Sequence, residues 1–478
     1  SSIIDSETSM DSDTTMDSED AAPLKGSMGR LAKEITTQVK TWEQYQIEHG
    51  MLLTTSGFDR YLHGDRSKLL PQMPCHVVNA RETIIDSALK LLDQVAGPSK
   101  MISLALSQVQ FVSALKWLLH FKIFDLVPKD KAVTYKSLAE KANVPASELM
   151  RMLRMAMAYK VFLECGGGIG SRRGAGAGDA VRHNRFSSIL ARDENFLHGL
   201  PFFCDTVMPA SAKIVDTTMR WKGSQEKNEA AWNLASGHEI SFDQHLSQHD
   251  QTSGYDCLMN VFDNGRSHSL LAAHWAEVVH GTINWSSLGK GARVVDLSSC
   301  SPWCRELTEL FPHVDFRFHG PQVMQGSMRM KNPALLTGGQ FIDYEAPNDW
   351  FIDSAEVYLL AGVIHRLSDG EIINLLQRIY DSMSSDARII IVDSILPDPG
   401  PSTMATNRVW QCRDMTLRQL HNSGKTLGEL KDIATQAALN TFEINIESNT
   451  CRPDKTVATV VLYPRQIGSL PLYLKRAN

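Results

Sequence analysis

Apolar residues recur at helical spacing through the first half of the chain, then collapse into short runs in the second half. From Met28 to about Leu70 the pattern is helical, with Leu31, Ile35 and Val39 on one face. Ala80 to Leu126 reads as two or three further helices. Leu104, Val109, Val112, Leu115, Trp117 and Leu118 crowd one of them. A helix apolar over so much of its surface is buried, either in a core or against a second subunit. Two shorter helices are predicted over Thr134–Ala142 and Ala146–Tyr159, turning at Asn143-Val144-Pro145. Strand-like Val161–Glu164 and Ala180–His183 follow, which completes the outline of a winged helix. The stretch between them holds seven glycines with Arg172 and Arg173. It lacks the G-K-[ST] ending of a phosphate-binding loop and reads as a long wing tip.

From Ala292 the pattern changes to strands alternating with helices. Strands are predicted at Arg293–Leu297, Asp315–Phe318, Leu335–Thr337, Ala355–Val363 and Ala387–Val392. Phe442–Glu447 and Thr456–Leu462 read as a closing antiparallel pair. This order implies a mostly parallel, doubly wound sheet. The helix after His365 has a defined start: Ser368 and Glu371 form a capping box, and Ile372, Leu375, Leu376 and Ile379 make its buried stripe. The fold class is therefore α/β, a helical plus winged-helix N-terminal domain followed by a Rossmann-like domain. The divisions are 1–25, an acidic tail; 26–215, the helical and winged-helix part; and 216–478, the sheet domain with a substrate pocket.

Composition narrows the partners. At 478 residues and 43% hydrophobic content, two sizeable cores are affordable. The first 20 residues hold seven acids and no base, a composition that buries no core. The net charge of −6 gives no sign of a nucleic-acid partner, although Arg151, Arg154 and Lys160 sit on the winged helix. No uninterrupted apolar run reaches the length of a membrane span, and no secretory leader is visible. The eight cysteines are scattered. Only Cys300 and Cys304 are close, a weak metal signal, so no metal site is expected. A reduced, cytoplasmic protein is the expectation.

Several separate motifs then point one way. Arg151-Met152-Leu153-Arg154, Ala230-Ala231-Trp232-Asn233-Leu234-Ala235, Val357 to Asp369, Ala387 to Pro399, Arg413-Asp414-Met415 and Asn422 to Thr426 lie in order along the chain. From about Ala80 to Pro464 the sequence resembles the plant and fungal O-methyltransferases that use S-adenosylmethionine. The resemblance breaks at the cofactor. The family motif V-D-x-G-G-G-x-G becomes Val295-Asp296-Leu297-Ser298-Ser299-Cys300-Ser301-Pro302. The acid expected on the cofactor ribose is replaced by Gly320, and the acid near the adenine by Gln340. Glycine lets backbone approach a ligand closely; side chains there obstruct it. S-adenosylmethionine is therefore expected to bind weakly or not at all, and no other cofactor is expected.

In the family the residue matching His365 is the general base, and imidazole suits that work near neutral pH. Lys331 and Arg366 join it as candidate donors, with a solvated or structural role as the plainer reading of each. Trp232, His238, Phe242, Arg413, Asp414, Met415 and His421 fall in segments that line the acceptor pocket of the family. The resemblance, with its lost glycines, implies a pericyclase of fungal secondary metabolism. Such a protein would take a polyketide-type pyridone through dehydration to a quinone methide, an Alder-ene step or a hetero-Diels–Alder cyclisation, without moving a methyl group. Two alternatives stay open: an active O-methyltransferase with an unusual turn, and a non-catalytic dimeric partner protein. A homodimer through the N-terminal helices is expected in each case, with no nucleic acid and no membrane.

Overall fold

The computed structural model describes residues 27–48, 74–165, 179–224, 226–249, 252–262, 283–297, 303–321, 339–344, 354–384, 386–396, 404–420, 424–438, 442–447 and 457–464. The acidic tail, the wing tip, the turn Ser298–Pro302, Lys331 and His421 lie outside the described residues.

The N-terminal half is helical. Helix α1 (Ser27–Glu48) packs along α2 (Cys75–His120), which is broken by Gly97 and Pro98. Gly97 sits at φ +67°, a left-handed angle that side chains resist, and Pro98 has no amide to donate, so one long apolar run becomes two helices. The short α3 (Ile123–Leu126) leads into the winged helix: β1 (Val133–Thr134), α4 (Tyr135–Ala142), α5 (Ala146–Ala158), β2 (Leu163–Cys165) and β3 (Ala180–Arg182). The strands pair in the order β1-β3-β2. Leu118, Leu138, Leu149, Leu153 and Val161 close its core, all fully buried. His183 joins the structure by its two ring nitrogens, one on Ser187 Oγ and one on the Phe124 carbonyl.

The face of α2 that does not reach this core is left bare: Val95, Ile102, Leu106 and Val109 are each more than half exposed. By length and apolar content α2 could cross a bilayer. However, its Asp86 pairs with Lys90 and its Lys116 with Asp205, ion pairs that belong to an aqueous helix.

Helices α6 (Arg185–Leu190), α7 (Glu194–Phe202), α8 (Met208–Ser211) and α9 (Ile214–Trp221) connect the two halves. A π-helical turn at Phe203–Val207 joins α7 to α8, and Lys116 Nζ caps its Cys204 carbonyl. A domain boundary at 215 falls inside α9. Next come α10 (Ala231–Ser236), α11 (Phe242–His249) and α12 (Thr252–Phe262). Helix α12 crosses α7 so closely that a Cβ on Gly199 would lie 2.8 Å from the Leu258 amide.

The sheet domain comprises β4 (Arg293–Asp296), α13 (Trp303–Leu310), β5 (Asp315–Pro321), β6 (Gly339–Tyr344), β7 (Val357–Ala361), α14 (Asp369–Ser382), β8 (Arg388–Leu396), α15 (Met404–Gln419), β9 (Lys425–Thr426), α16 (Leu427–Ala438), β10 (Phe442–Glu447) and β11 (Val457–Pro464). Its strands run in the order β6-β5-β4-β7-β8-β11-β10, with β9 beside β8. The first five pair in parallel, and β11 and β10 close the sheet antiparallel, as expected. Every residue of β7 is buried, because helices cover both faces of a parallel sheet. Alternate residues feed two cores: Tyr358 and Leu360 meet α14 and α16, while Val357 and Leu359 meet Phe316, Phe318 and Trp285.

Leu335–Thr337 lies outside the described residues, and the third strand is β6, starting at Gly339. The sequence Gly-Gln-Phe-Ile-Asp-Tyr is half polar and announces itself poorly by pattern; its pairing with β5 defines it.

Candidate functional site

The winding of the sheet reverses between β4 and β7, and in doubly wound folds ligands bind at the carboxyl edge of that crevice. Asp296 ends β4 there, 2% exposed. After β7 the chain turns through Gly362 and a short 3-10 turn, Ile364–Arg366, before Ser368 caps α14. This turn carries His365 to the edge.

Its partner is Asp393, the first residue of β8 past the level of β7, and 1% exposed. Asp393 Oδ2 accepts the amides of Ile364 at 2.7 Å and His365 at 3.2 Å, while Oδ1 lies 2.8 Å from His365 Nδ1. A carboxylate can only accept, so Nδ1 carries the proton and Nε2 is left as the basic nitrogen. The arrangement is a buried His–carboxylate pair aimed by two backbone bonds. Asp393 was not among the candidates read from sequence, yet a signal existed: it is the acid that ends the apolar run Ile389–Val392.

Ion pairs brace the start of α14. Lys425, at the head of β9, contacts Asp369, and Lys227 meets Glu371 at 2.8 Å. Burial acts to raise the Glu371 pKa, but hydrogen bonds from Lys227 and Ser368 outweigh it and hold the carboxyl below its ordinary value. The capping box expected at Ser368 and Glu371 is formed, and its four stripe residues are buried.

The remaining candidates fall into separate groups. Trp232 and Phe242 are buried in an aromatic cluster with Phe202 and Tyr255. His238, exposed, stacks on Trp232 at 5.4 Å and faces the His245 ring at 4.6 Å. On α15, Arg413 faces inward, 2% exposed, over the Trp410 ring at 5.8 Å. Asp414 accepts the Gly424 amide at 3.0 Å, and burial raises its pKa. Met415, two residues on from Arg413 and so on the opposite face, is 46% exposed and lines a shallow surface depression with Ile214, Thr217 and Trp221. That placement parts it from the inward face expected of it. Arg366 contributes backbone to the turn after β7; its side chain, like Lys331 and His421, is outside what the structure describes.

The sheet register gives the level of two of the substituted positions. Phe341 pairs with Phe318, which is level with Asp296, so Gln340 stands one residue below the carboxyl edge. Asp343, opposite Gly320, stands at the edge instead. Gly320 lies within β5, near its end.

The matches to known proteins follow this architecture. An O-methyltransferase dimerisation domain matches residues 105–192 and an O-methyltransferase domain matches residues 225–438. The O-methyltransferase aunD of Aspergillus niger is 30% identical over 387 residues, spanning 79% of this chain and 88% of that protein. The chain belongs to the O-methyltransferase family. Among solved structures, OxaC in complex with SAH and oxaline superposes with a TM-score of 0.63 at 17% identity, over 93% of this chain and 100% of that one. A pericyclic reaction enzyme does so with a TM-score of 0.61 at 16% identity, over 81% and 94%. At such identities these two show the fold alone.

The family implies S-adenosylmethionine, and the turn expected to face it lies outside the described residues. Between Leu297, whose amide is bound to the Leu359 carbonyl, and the start of α13 at Trp303 lie only Ser298, Ser299, Cys300, Ser301 and Pro302. Each carries a Cβ, and Pro302 has no N–H to offer an anionic group. Among the described residues no group of three or more metal-ligating side chains forms.

Proposed function

We propose that the chain is an acid–base enzyme of secondary metabolism that converts a hydroxyl-bearing, polyketide-type substrate without transferring a methyl group. The observation that carries this reading is the His365–Asp393 pair, assembled at the carboxyl edge beside a turn with no glycine. A pair of this kind removes the proton of an acidic hydroxyl through Nε2, while Asp393 stabilises the imidazolium. For a pyridone bearing a second, allylic hydroxyl, the same Nε2–H then returns its proton to that departing group. Water leaves and a quinone methide remains. The Alder-ene or hetero-Diels–Alder closure that follows exchanges no proton with the protein. It gains from holding a flexible chain in one reactive fold.

The second reading is O-methyl transfer. It is favoured by the curated relatives, which are fungal O-methyltransferases, and by Asp343 at the edge where an acid belongs. The same pair would then deprotonate the acceptor. One experiment separates these readings: purified protein with candidate pyridones and phenols, with and without S-adenosylmethionine, read by mass. An isomer, or loss of one water in either condition, supports the proposal. A methyl gain that requires S-adenosylmethionine replaces it with the second reading. No conversion across the panel overturns both in favour of a non-catalytic partner protein.

A further inference from the structure

A buried guanidinium on α15 is left short of hydrogen-bond partners. Arg413 is 2% exposed, and its Nε and Nη1 are buried with no hydrogen-bond partner. Among the described residues the Trp410 ring stands over it, an attraction to the face of the cation that leaves Nε and Nη1 unused, and Asp414 interacts with it by charge alone. The acids of the adjoining segments have partners of their own. Asp414 is turned to the Gly424 amide. Asp86, on the helix packed against the start of α15, binds the Met404 amide at 2.7 Å and Lys90 at 2.7 Å. Glu82 holds Arg81. Burying an ion without a partner costs several kcal/mol, so this arrangement calls for an anion from outside the chain.

Topology puts Arg413 at the site. Helix α15 is an excursion from the carboxyl edge: it leaves after Leu396 and returns at Lys425, which pairs with Ile395, two residues from Asp393. The Asp414–Gly424 bond ties the middle of α15 to that return point. By chain and strand spacings, Arg413 and the His365–Asp393 pair lie on the order of 15 Å apart at the backbone, within the reach of an extended substrate and a long side chain. One turn further on, Leu417 belongs to the cluster of Trp232 and Phe242. Helix α15 therefore links the aromatic cluster, through Leu417, with the carboxyl edge that carries the acid–base pair, through its tie to Gly424.

We propose that Arg413 is a ligand-binding group that receives an oxyanion of the substrate, a carboxylate or the enolate oxygen of a 1,3-dicarbonyl. This assignment rests on the function proposed above and names the substrate class as acidic. Arginine suits the task because its planar fork matches two oxygens at once.

Binding tests it without requiring turnover. Calorimetry compares 2,4-dihydroxybenzoate, 1,3-cyclohexanedione (largely an enolate at neutral pH) and neutral resorcinol on the full chain. At least one anion is expected to bind roughly tenfold or more tightly than resorcinol, as a charge-assisted bond supplies; which one does so tells carboxylate from enolate. Arg413→Met is expected to abolish that preference. It is also expected to melt higher than the wild type without ligand, because it removes an uncompensated buried charge. His365→Ala is expected to keep the preference, so a failed catalytic reading leaves a distinct signature. Equal binding of all three probes by the wild type overturns the proposal, as does Arg413→Met that keeps the preference. Where Arg413→Met does not fold, Arg413→Lys decides: it keeps the charge and loses the fork, and an unchanged anion preference overturns the assignment.

Discussion

Replacing Asp393 with Asn changes one atom pair and tests the centre of the site. The side chain is 1% exposed and accepts bonds on both oxygens, two backbone amides on Oδ2 and the imidazole on Oδ1. Asn has one acceptor oxygen and one donor nitrogen, so it must choose. Turning the nitrogen to the backbone would leave two buried N–H groups unsatisfied, at about 1–3 kcal/mol each. Keeping the oxygen there sacrifices only the imidazole bond, so that orientation wins. The amide then donates to Nδ1, the ring proton moves to Nε2, and the nitrogen facing the cleft can no longer act as a base. The rate of the acid–base step is expected to fall by about 10²–10⁴. The fold loses only on the order of 1–3 kcal/mol, the difference between charged and neutral bonds. Single-turnover conversion followed by mass, with a melting curve on the same preparation, checks both halves. A variant rate within about threefold of wild type would falsify the role given to the pair.

Three further outcomes follow from the same geometry. S-adenosylmethionine is expected to bind at least about one to two decades more weakly than it does to a protein keeping the ribose carboxylate, since Gly320 offers no bond of 1.5–3 kcal/mol; low-micromolar binding by calorimetry refutes this. The chain is expected to be a homodimer by light scattering, and Leu106→Glu on the bare face of α2, where Leu106 is 64% exposed, to shift it toward monomer; an unmoved dimer places the interface elsewhere. Glu371 is held below its ordinary pKa in the fold, so it adds stability above its unfolded value of about 4.3 that is lost as pH falls through the lower folded value. Lys227→Met should flatten that acid-side loss in melting curves; identical acid profiles would count against the ion pair's contribution.

The parts of the molecule that were legible in sequence are those set by local pattern. The buried run of β7, the capping box at Ser368 and the two helices of the winged helix each announce themselves within a few residues. Parts defined by pairing were not. The two-residue β1 exists only because it joins β3, and the half-polar β6 is fixed by its register on β5. Asp393 lies 28 residues from His365, and only the parallel pairing of β7 with β8 brings them together. The case of α15 is different, since a helical period of 3.6 puts Trp410, Arg413 and Leu417 on one face and Met415 on the other. Within Arg413-Asp414-Met415 that phase sends the first and last side chains to opposite faces.

The presence of Asp393 does not by itself speak for catalysis, because its two backbone bonds shape the turn after β7. A protein that had lost all activity would still be penalised for losing it. His365 is the residue that separates the cases. Its side chain, 11% exposed at the edge, makes one hydrogen bond among the described residues, the one to Asp393. His365→Ala forfeits that charge-assisted bond, about 1.5–3 kcal/mol, and admits water to the carboxylate. Asp393→Ala strands two buried amides in addition, a further 1–3 kcal/mol or so each. Melting curves are therefore expected to rank Asp393→Ala well below His365→Ala, while both fall to a similar low rate of conversion. Should His365→Ala convert substrate at the wild-type rate, the imidazole is a fixture of the turn, and the chemistry of this chain must rest on some other group.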